Sequence, residues 1–200
     1  MLLDAAVLAV VIGLLGGGRL TRLSELDLRA VGVFLAAAAI QIGLLAMAAK
    51  AVPLPRGAAA ALYVASFGLV LIGLWLNRRL PGVWLVLLGV LMNFVVIVAN
   101  GGSMPVDRDL ALQAGDEKLV AMLDSPDYVG HMPATEHTRL RPLGDVLRLP
   151  MLIPRPRFFS PGSIGDVLIT VGACWLILAG MGAFGLRRGE VRGEPEAVEQ

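Results

Sequence analysis

The sequence has little charge and almost no cysteine. Only 16% of its 200 residues are Asp, Glu, Lys or Arg, compared with about 25% in a typical soluble domain. The single cysteine, Cys174, permits no disulfide within the chain and no zinc site built from thiolates. A formal net charge of +1 provides no basic surface for nucleic acid. This composition excludes an ordinary soluble enzyme, a disordered chain and a nucleic-acid-binding module.

Long apolar runs dominate what remains. Apolar residues make up 56% of the chain, and about 20 of them in one helix cross roughly 30 Å of hydrocarbon. No Lys or Arg precedes the first run, so it lacks the basic start of a signal peptide and is predicted to be a retained helix. We therefore predict an all-α integral membrane protein, with a five-helix transmembrane bundle in residues 1–186. The predicted spans are 2–18, 30–49, 57–76, 82–99 and 164–184.

Basic residues are distributed unevenly among the connecting segments. Eight arginines lie in the turn after the first span, the turn between spans three and four, and the C-terminal tail. The segment between spans two and three contains only Lys50 and Arg56. Because short cytoplasmic segments carry the excess of Lys and Arg, the C-terminus is predicted to be cytoplasmic, and the N-terminus and segment 100–163 extracytoplasmic. The tail at 187–200 is predicted to be disordered.

Segment 100–163, which we call the cap, is long enough to have a structure of its own. Leu112, Leu119, Val120 and Leu123 recur at helical spacing and predict a short amphipathic helix resting on the membrane or the bundle. Residues 139–156 are too short to span, rich in proline and partly apolar. We interpret them as an interfacial or re-entrant segment.

Polar residues within the predicted spans are few. Gln41 and Asn93 lie at a similar depth, which predicts a direct hydrogen bond between helices two and four. Two similar strings, 143–147 and 164–168, place Asp145 and Asp166 just before apolar runs. Each aspartate is either a helix N-cap or part of a shared polar chamber at the outer mouth of the bundle.

The cap also contains candidate ligand-binding groups. Gly101 and Gly102 would let backbone N–H groups approach an anion, and Arg139 and Arg141 would supply planar, two-pronged donors. Alternatively, the glycines only end the fourth helix, and the arginines meet bulk lipid phosphate. The predicted ligand-binding residues are Asn100, Gly101, Gly102, His131, Arg139, Arg141, Asp145 and Asp166.

The two histidines do not predict a metal site. His131 and His137 are six residues apart, whereas a zinc protease helix places two histidines four apart with Glu after the first. A site built from both histidines and Asp145 has suitable ligand types but no recognisable spacing. We therefore predict neither a metal nor another cofactor.

Three strings together resemble a known family. They are Asn100-Gly101-Gly102-Ser103-Met104-Pro105-Val106, the stretch from His131 through Thr138 to Asp145, and Ser163-Ile164-Gly165-Asp166. With the spacing of the five spans, they are similar to an uncharacterised family of small bacterial multi-pass membrane proteins, a domain of unknown function with an Asn-Gly-Gly-x-Met-Pro-Val signature. The resemblance implies the fold and a location in the bacterial inner membrane, but no activity and no catalytic residues.

The sequence leaves two functions to compare. The first is a non-catalytic protein that binds a membrane lipid or serves as an accessory subunit or scaffold, with a partner membrane protein or a second copy of itself. The alternative is a membrane-embedded enzyme acting on a lipid phosphate headgroup at the outer leaflet. His131 and Asp145 would then perform acid–base chemistry, with Arg139 and Arg141 neutralising the phosphate.

Overall fold

The computed structural model describes residues 2–50, 52, 54–125, 128–151 and 157–185. The protein is mostly helical. Its α-helices are α1 (Leu2–Leu15), α2 (Val31–Ala49), α3 (Arg56–Leu76), α4 (Val83–Ala99), α5 (Arg108–Ala114), α6 (Glu117–Leu123) and α7 (Ile164–Gly180). Its strands are β1 (Met104–Val106), β2 (His131–Pro133), β3 (Leu147–Pro150) and β4 (Phe159–Gly162). Short 3-10 helices occupy Leu20–Glu25, Arg141–Leu143 and Ala183–Gly185.

Five of these helices are long and apolar. By length and composition, α2 and α3 are able to cross a membrane, whereas α1, α4 and α7 are apolar but shorter. The first and last helices end before the predicted limits of residues 18 and 184. Glycine explains both differences, since Gly17 (φ 80°) and Gly182 (φ 67°) adopt left-handed conformations that turn the chain out of the helix.

The five long helices pack side by side in the order α2, α3, α4, α7, α1. The closest approach is between α4 and α7, where glycines face one another. A Cβ on Gly172 would lie 2.6 Å from the Gly82 carbonyl oxygen, and one on Gly165 would lie 2.7 Å from the Gly89 carbonyl oxygen. Small residues at such a crossing let two helix backbones come together. This crossing fixes the start of α7 against the middle of α4.

The cap contains strands that the all-α prediction did not include. β1 pairs in parallel with β2, with Met104 opposite His131, and β3 pairs antiparallel with β4, with Leu147 opposite Gly162. Asp145 adds a single parallel bridge to Val106 on β1. These strands have only three or four residues, and each contains a proline, so they are too short for a period-two pattern to reveal them.

The predicted amphipathic helix is two helices. Gly115 (φ 69°) ends α5, and Asp116 then caps α6 by accepting a hydrogen bond from the Leu119 N–H. Leu123 packs with Val106 in a small core within the cap. In segment 139–156 the structure has a 3-10 turn and β3, while residues 152–156 lie outside the described residues. The tail at 187–200, predicted to be disordered, also lies outside them.

Candidate functional site

Gly101 and Gly102 end α4 and do not offer their amides to a ligand. The Gly102 N–H donates to the Ile97 carbonyl oxygen at 2.8 Å, and the Gly101 N–H donates to that of Val98 at 3.3 Å. Both glycines have positive φ, and this pair of bonds is the Schellman arrangement of a helix C-terminus. The predicted anion-binding role of these amides is therefore wrong, because both donors are already used.

Asn100 joins the end of α4 to the cap. Its Nδ2 donates to the Val96 carbonyl oxygen at 2.8 Å and to that of Arg139 at 2.9 Å. Its Oδ1 accepts from the Arg139 N–H at 3.0 Å. The Asn100 side-chain amide thus forms two hydrogen bonds with the backbone of Arg139, as a residue of a neighbouring β-strand would. Asn100 has a structural role here, and it makes no hydrogen bond to His131, Asp145 or Asp166.

The predicted cationic groups lie on the surface. Arg139, Arg141 and His137 are exposed. Within the described part of the chain, neither arginine side chain forms an ion pair or hydrogen bond with Asp145. The arrangement proposed for a lipid-phosphate enzyme, with two arginines beside His131 and Asp145, is therefore not assembled.

Asp166 is the centre of a hydrogen-bond network where α7 meets α4. Ser163 is the N-cap of α7, and its Oγ accepts from the Asp166 N–H while Asp166 Oδ2 accepts from the Ser163 N–H, each at 3.0 Å. Asn93 on α4 donates through Nδ2 to Asp166 Oδ1 at 3.0 Å and accepts at Oδ1 from Ser163 Oγ at 2.9 Å. Asp166 therefore caps its helix from the third helical position, as in a capping box, and also holds α7 to α4.

The predicted pairing of Gln41 with Asn93 is wrong. Gln41 donates through Nε2 to Ser66 Oγ on α3 at 3.0 Å. Two residues can share a depth without being neighbours, and α2 packs mainly against α3. Ser66 and Ser163 are thus the partners that the sequence analysis missed.

Asp145 and Asp166 lie next to each other despite coming from the cap and from α7. The Asp145 backbone is held by β1, since its N–H donates to the Pro105 carbonyl oxygen and its own carbonyl oxygen accepts from the Asp107 N–H. Its carboxyl is within hydrogen-bonding reach of the Asp166 carboxyl. Burial, and secondarily the charge and proximity of Asp166, raise the pKa of Asp145 to about 7. Because its backbone pairs with β1, Asp145 is not a helix N-cap.

His131 lies near the same carboxyl pair. Its ring stacks on Tyr128, with centroids 6.1 Å apart and planes at 4°. Burial lowers the pKa of His131, and the charge of Asp166 opposes this effect only in part. Among the described residues, His131 Nδ1 and Asp145 Oδ1 are buried atoms without a hydrogen-bond partner. Tyr63, on α3, lies within electrostatic range of Asp145, Asp166 and Tyr128.

The resulting site, which we call the carboxyl cluster, consists of Asn93, His131, Asp145, Ser163 and Asp166. Two carboxyl groups share one site, and repulsion between them favours retention of a proton by one member. A phosphate would be repelled there. No group of three or more His, Cys, Asp or Glu side chains in the described ranges is arranged to hold a metal ion. Chemically, the arrangement can hold one proton between its two carboxyl groups.

A lateral apolar groove lies beside the cluster, between α1 and α7 and beneath β3. Its volume is about 310 Å³. Its walls include Ala5, Leu8 and Ile12 from α1, Val167, Val171 and Leu178 from α7, and Leu149 and Pro150 from β3. The groove also contains Thr170, whose Oγ1 is buried without a hydrogen-bond partner among the described residues. Nothing in the sequence pattern indicated this groove, since it depends on which helix lies beside α7.

Comparison with known proteins gives a family but no activity. No curated protein matches the chain, and no solved structure matches it. A family profile matches residues 25–178, which include α2, α3, α4, the cap and most of α7. The matched region therefore contains the whole carboxyl cluster, and the chain belongs to DUF5317, a family of unknown function.

Proposed function

We propose that this protein is a multi-pass membrane protein that binds the apolar chain of a lipid in the groove between α1 and α7, without covalent chemistry. The observation that supports this proposal most directly is the groove itself, whose walls are almost wholly apolar. On α7 the groove extends from Val167 to Leu178. These residues are about 16 Å apart at roughly 1.5 Å per residue, about half of a 30 Å hydrocarbon layer.

The outer faces of the long helices support a bilayer as the surrounding medium. Ala37 is the one buried residue of α2, and large apolar side chains such as Leu35 (65% exposed) and Ile42 (66% exposed) point outward. Soluble proteins rarely expose continuous apolar patches of this extent. In our proposal α1, α2, α3, α4 and α7 all cross the bilayer, and the three shorter helices are accommodated by local thinning.

The proposal includes an orientation and a location. We propose a cytoplasmic C-terminus and a cap outside the inner membrane of a bacterium, which the excess of arginine in the short segments supports. The outward helix faces would suit lipid tails and a partner membrane protein, or a second copy, equally well. The groove favours a lipid chain, because its volume of about 310 Å³ is small for a helix about 10 Å across.

A matched pair of substitutions tests lipid binding. Val171 lines the groove from its exposed side, and Val95 on α4 is similarly exposed but lies outside the groove. Val171→Trp should fill the groove, whereas Val95→Trp adds the same bulk to an ordinary lipid-facing surface. After gentle solubilisation, native mass spectrometry should show a retained lipid on the wild type and the Val95→Trp variant, and little on Val171→Trp. Equal lipid retention by both variants would refute the proposal.

A further inference from the structure

The carboxyl cluster connects the cap to the long helices, and no ion pair among the described residues connects these two parts. Asp145 belongs to the cap through its bridge to Val106. Asp166 belongs to the helices through Ser163 and Asn93. The contact between the two carboxyl groups is therefore a direct polar link from the cap to the α4–α7 crossing.

No cation stabilises this link within the part of the chain that the structure describes. No Lys or Arg side chain there forms an ion pair with Asp145 or Asp166. The titratable groups within electrostatic range of the pair are Tyr63 from α3 and His131 from β2. Burial favours the neutral form of His131, so it does not provide a compensating positive charge. A carboxyl–carboxyl hydrogen bond exists only while one member is protonated, since two carboxylates have no donor.

We propose that the Asp145–Asp166 pair is a proton-binding site that docks the cap against α4 and α7, and that release of its proton loosens the cap. Asp166 already accepts two N–H hydrogen bonds, so the proton resides on Asp145 and is donated to Asp166. When Asp145 ionises, two adjacent buried carboxylates repel each other, and the link becomes unfavourable. The buried, unpartnered Asp145 Oδ1 makes the charged form more costly still.

The geometry connects this site to the groove, and this part of the inference rests on the proposed function. Leu149 lines the groove and lies two residues beyond the start of β3, which follows Asp145 closely in the chain. A Cβ on Gly162 would lie 3.2 Å from Leu149 Cγ and 3.3 Å from Asp166 Oδ2. The Leu149 side chain, which lines the groove, therefore lies close to Asp166. Loosening Asp145 would therefore move Leu149 and expose the end of the groove.

Two measurements on the full chain in lipid nanodiscs test the site. Infrared spectroscopy in a pH series should detect a protonated carboxyl that titrates near the Asp145 pKa of about 7. Its protonated fraction should fall roughly tenfold from one pH unit below that pKa to one unit above. Hydrogen exchange of β1 and β2, relative to α3 peptides in the same sample, should become faster over the same range.

Substitutions identify the titrating group. Asp145→Asn keeps the shape and a donor toward Asp166, and should remove both the titrating band and the pH-dependence of exchange. Asp109→Asn, at an exposed position on α5, should change neither. Persistence of the band in Asp145→Asn, or its loss in His131→Gln with Asp145 intact, would overturn the assignment, and the wild-type titration decides the matter even if a variant does not fold.

Lipid retention separates this inference from the proposed function. If lipid is retained and the retained amount differs between pH values below and above the Asp145 pKa of about 7, the site regulates the groove. If no lipid is retained at any pH, the proposed function fails, while the infrared and exchange results still decide whether the pair binds a proton. Equal retention throughout, with a titrating Asp145, would refute the regulatory link alone.

Discussion

The crossing of α4 and α7 should be intolerant of a single methyl group at Gly165. A Cβ at this position would overlap Asn93 Oδ1 and lie 2.7 Å from the Gly89 carbonyl oxygen. Either the two helices separate or the Asn93 side chain leaves its place. In the second case Asn93 loses its hydrogen bonds with Asp166 and Ser163. Gly165→Ala therefore perturbs the packing and the carboxyl cluster together.

The magnitude follows from these contacts. Loss of the Asn93 bond to the Asp166 carboxylate should cost about 1.5–3 kcal/mol, and loss of the bond from Ser163 about 0.5–1.5 kcal/mol. Forcing extra volume into a close contact adds about 1–3 kcal/mol. The higher helix propensity of alanine relative to glycine offsets about 1 kcal/mol of this loss in stability. The expected net loss in the free energy of unfolding is about 2–6 kcal/mol.

Gly43→Ala is the matched control. Gly43 lies in α2, and a Cβ there would meet nothing within 4 Å, so this variant should be neutral or more stable by up to about 1 kcal/mol. Thermal unfolding of both purified variants, followed by tryptophan fluorescence in the same detergent, measures the difference. Equal stability of the two variants would show that α4 and α7 do not make this contact and would refute the packing on which the cluster depends.

Two further predictions concern the cap. On folding, the pKa of Asp145 rises from 3.8 to about 7, so the folded protein keeps a proton that the unfolded chain releases, and stability should fall as pH increases between these values. The difference corresponds to about 4 kcal/mol, which Asp145→Asn should abolish in a pH series of thermal unfolding. Asn100→Asp removes the donor that binds the Arg139 carbonyl oxygen. It should increase proteolysis of the cap with little change in α2 and α3, and an unchanged cleavage rate would contradict the structural role of this residue.

Several features of the fold were predictable because they depend on neighbouring residues. Apolar runs of 18–20 residues located α2, α3 and α4 to within a residue at each end, since a helix forms its backbone hydrogen bonds within its own segment. The Gly101–Gly102 pair was recognised as a possible helix end for the same local reason. The strands of the cap were missed because each is held by a partner distant in sequence.

The sequence by itself determined the long helices, the end of α4 at Gly101 and Gly102, and the presence of two aspartates before apolar runs. Only the tertiary structure decided which side chains meet. Depth along a helix is a property of the sequence, but the order of the helices and their rotation are not, which is why Gln41 pairs with Ser66 and not with Asn93. Asp145 and Asp166 come together because β1 holds one and the α4–α7 crossing holds the other. The proton-binding character of the pair arises from that proximity and from burial, which no local pattern encodes.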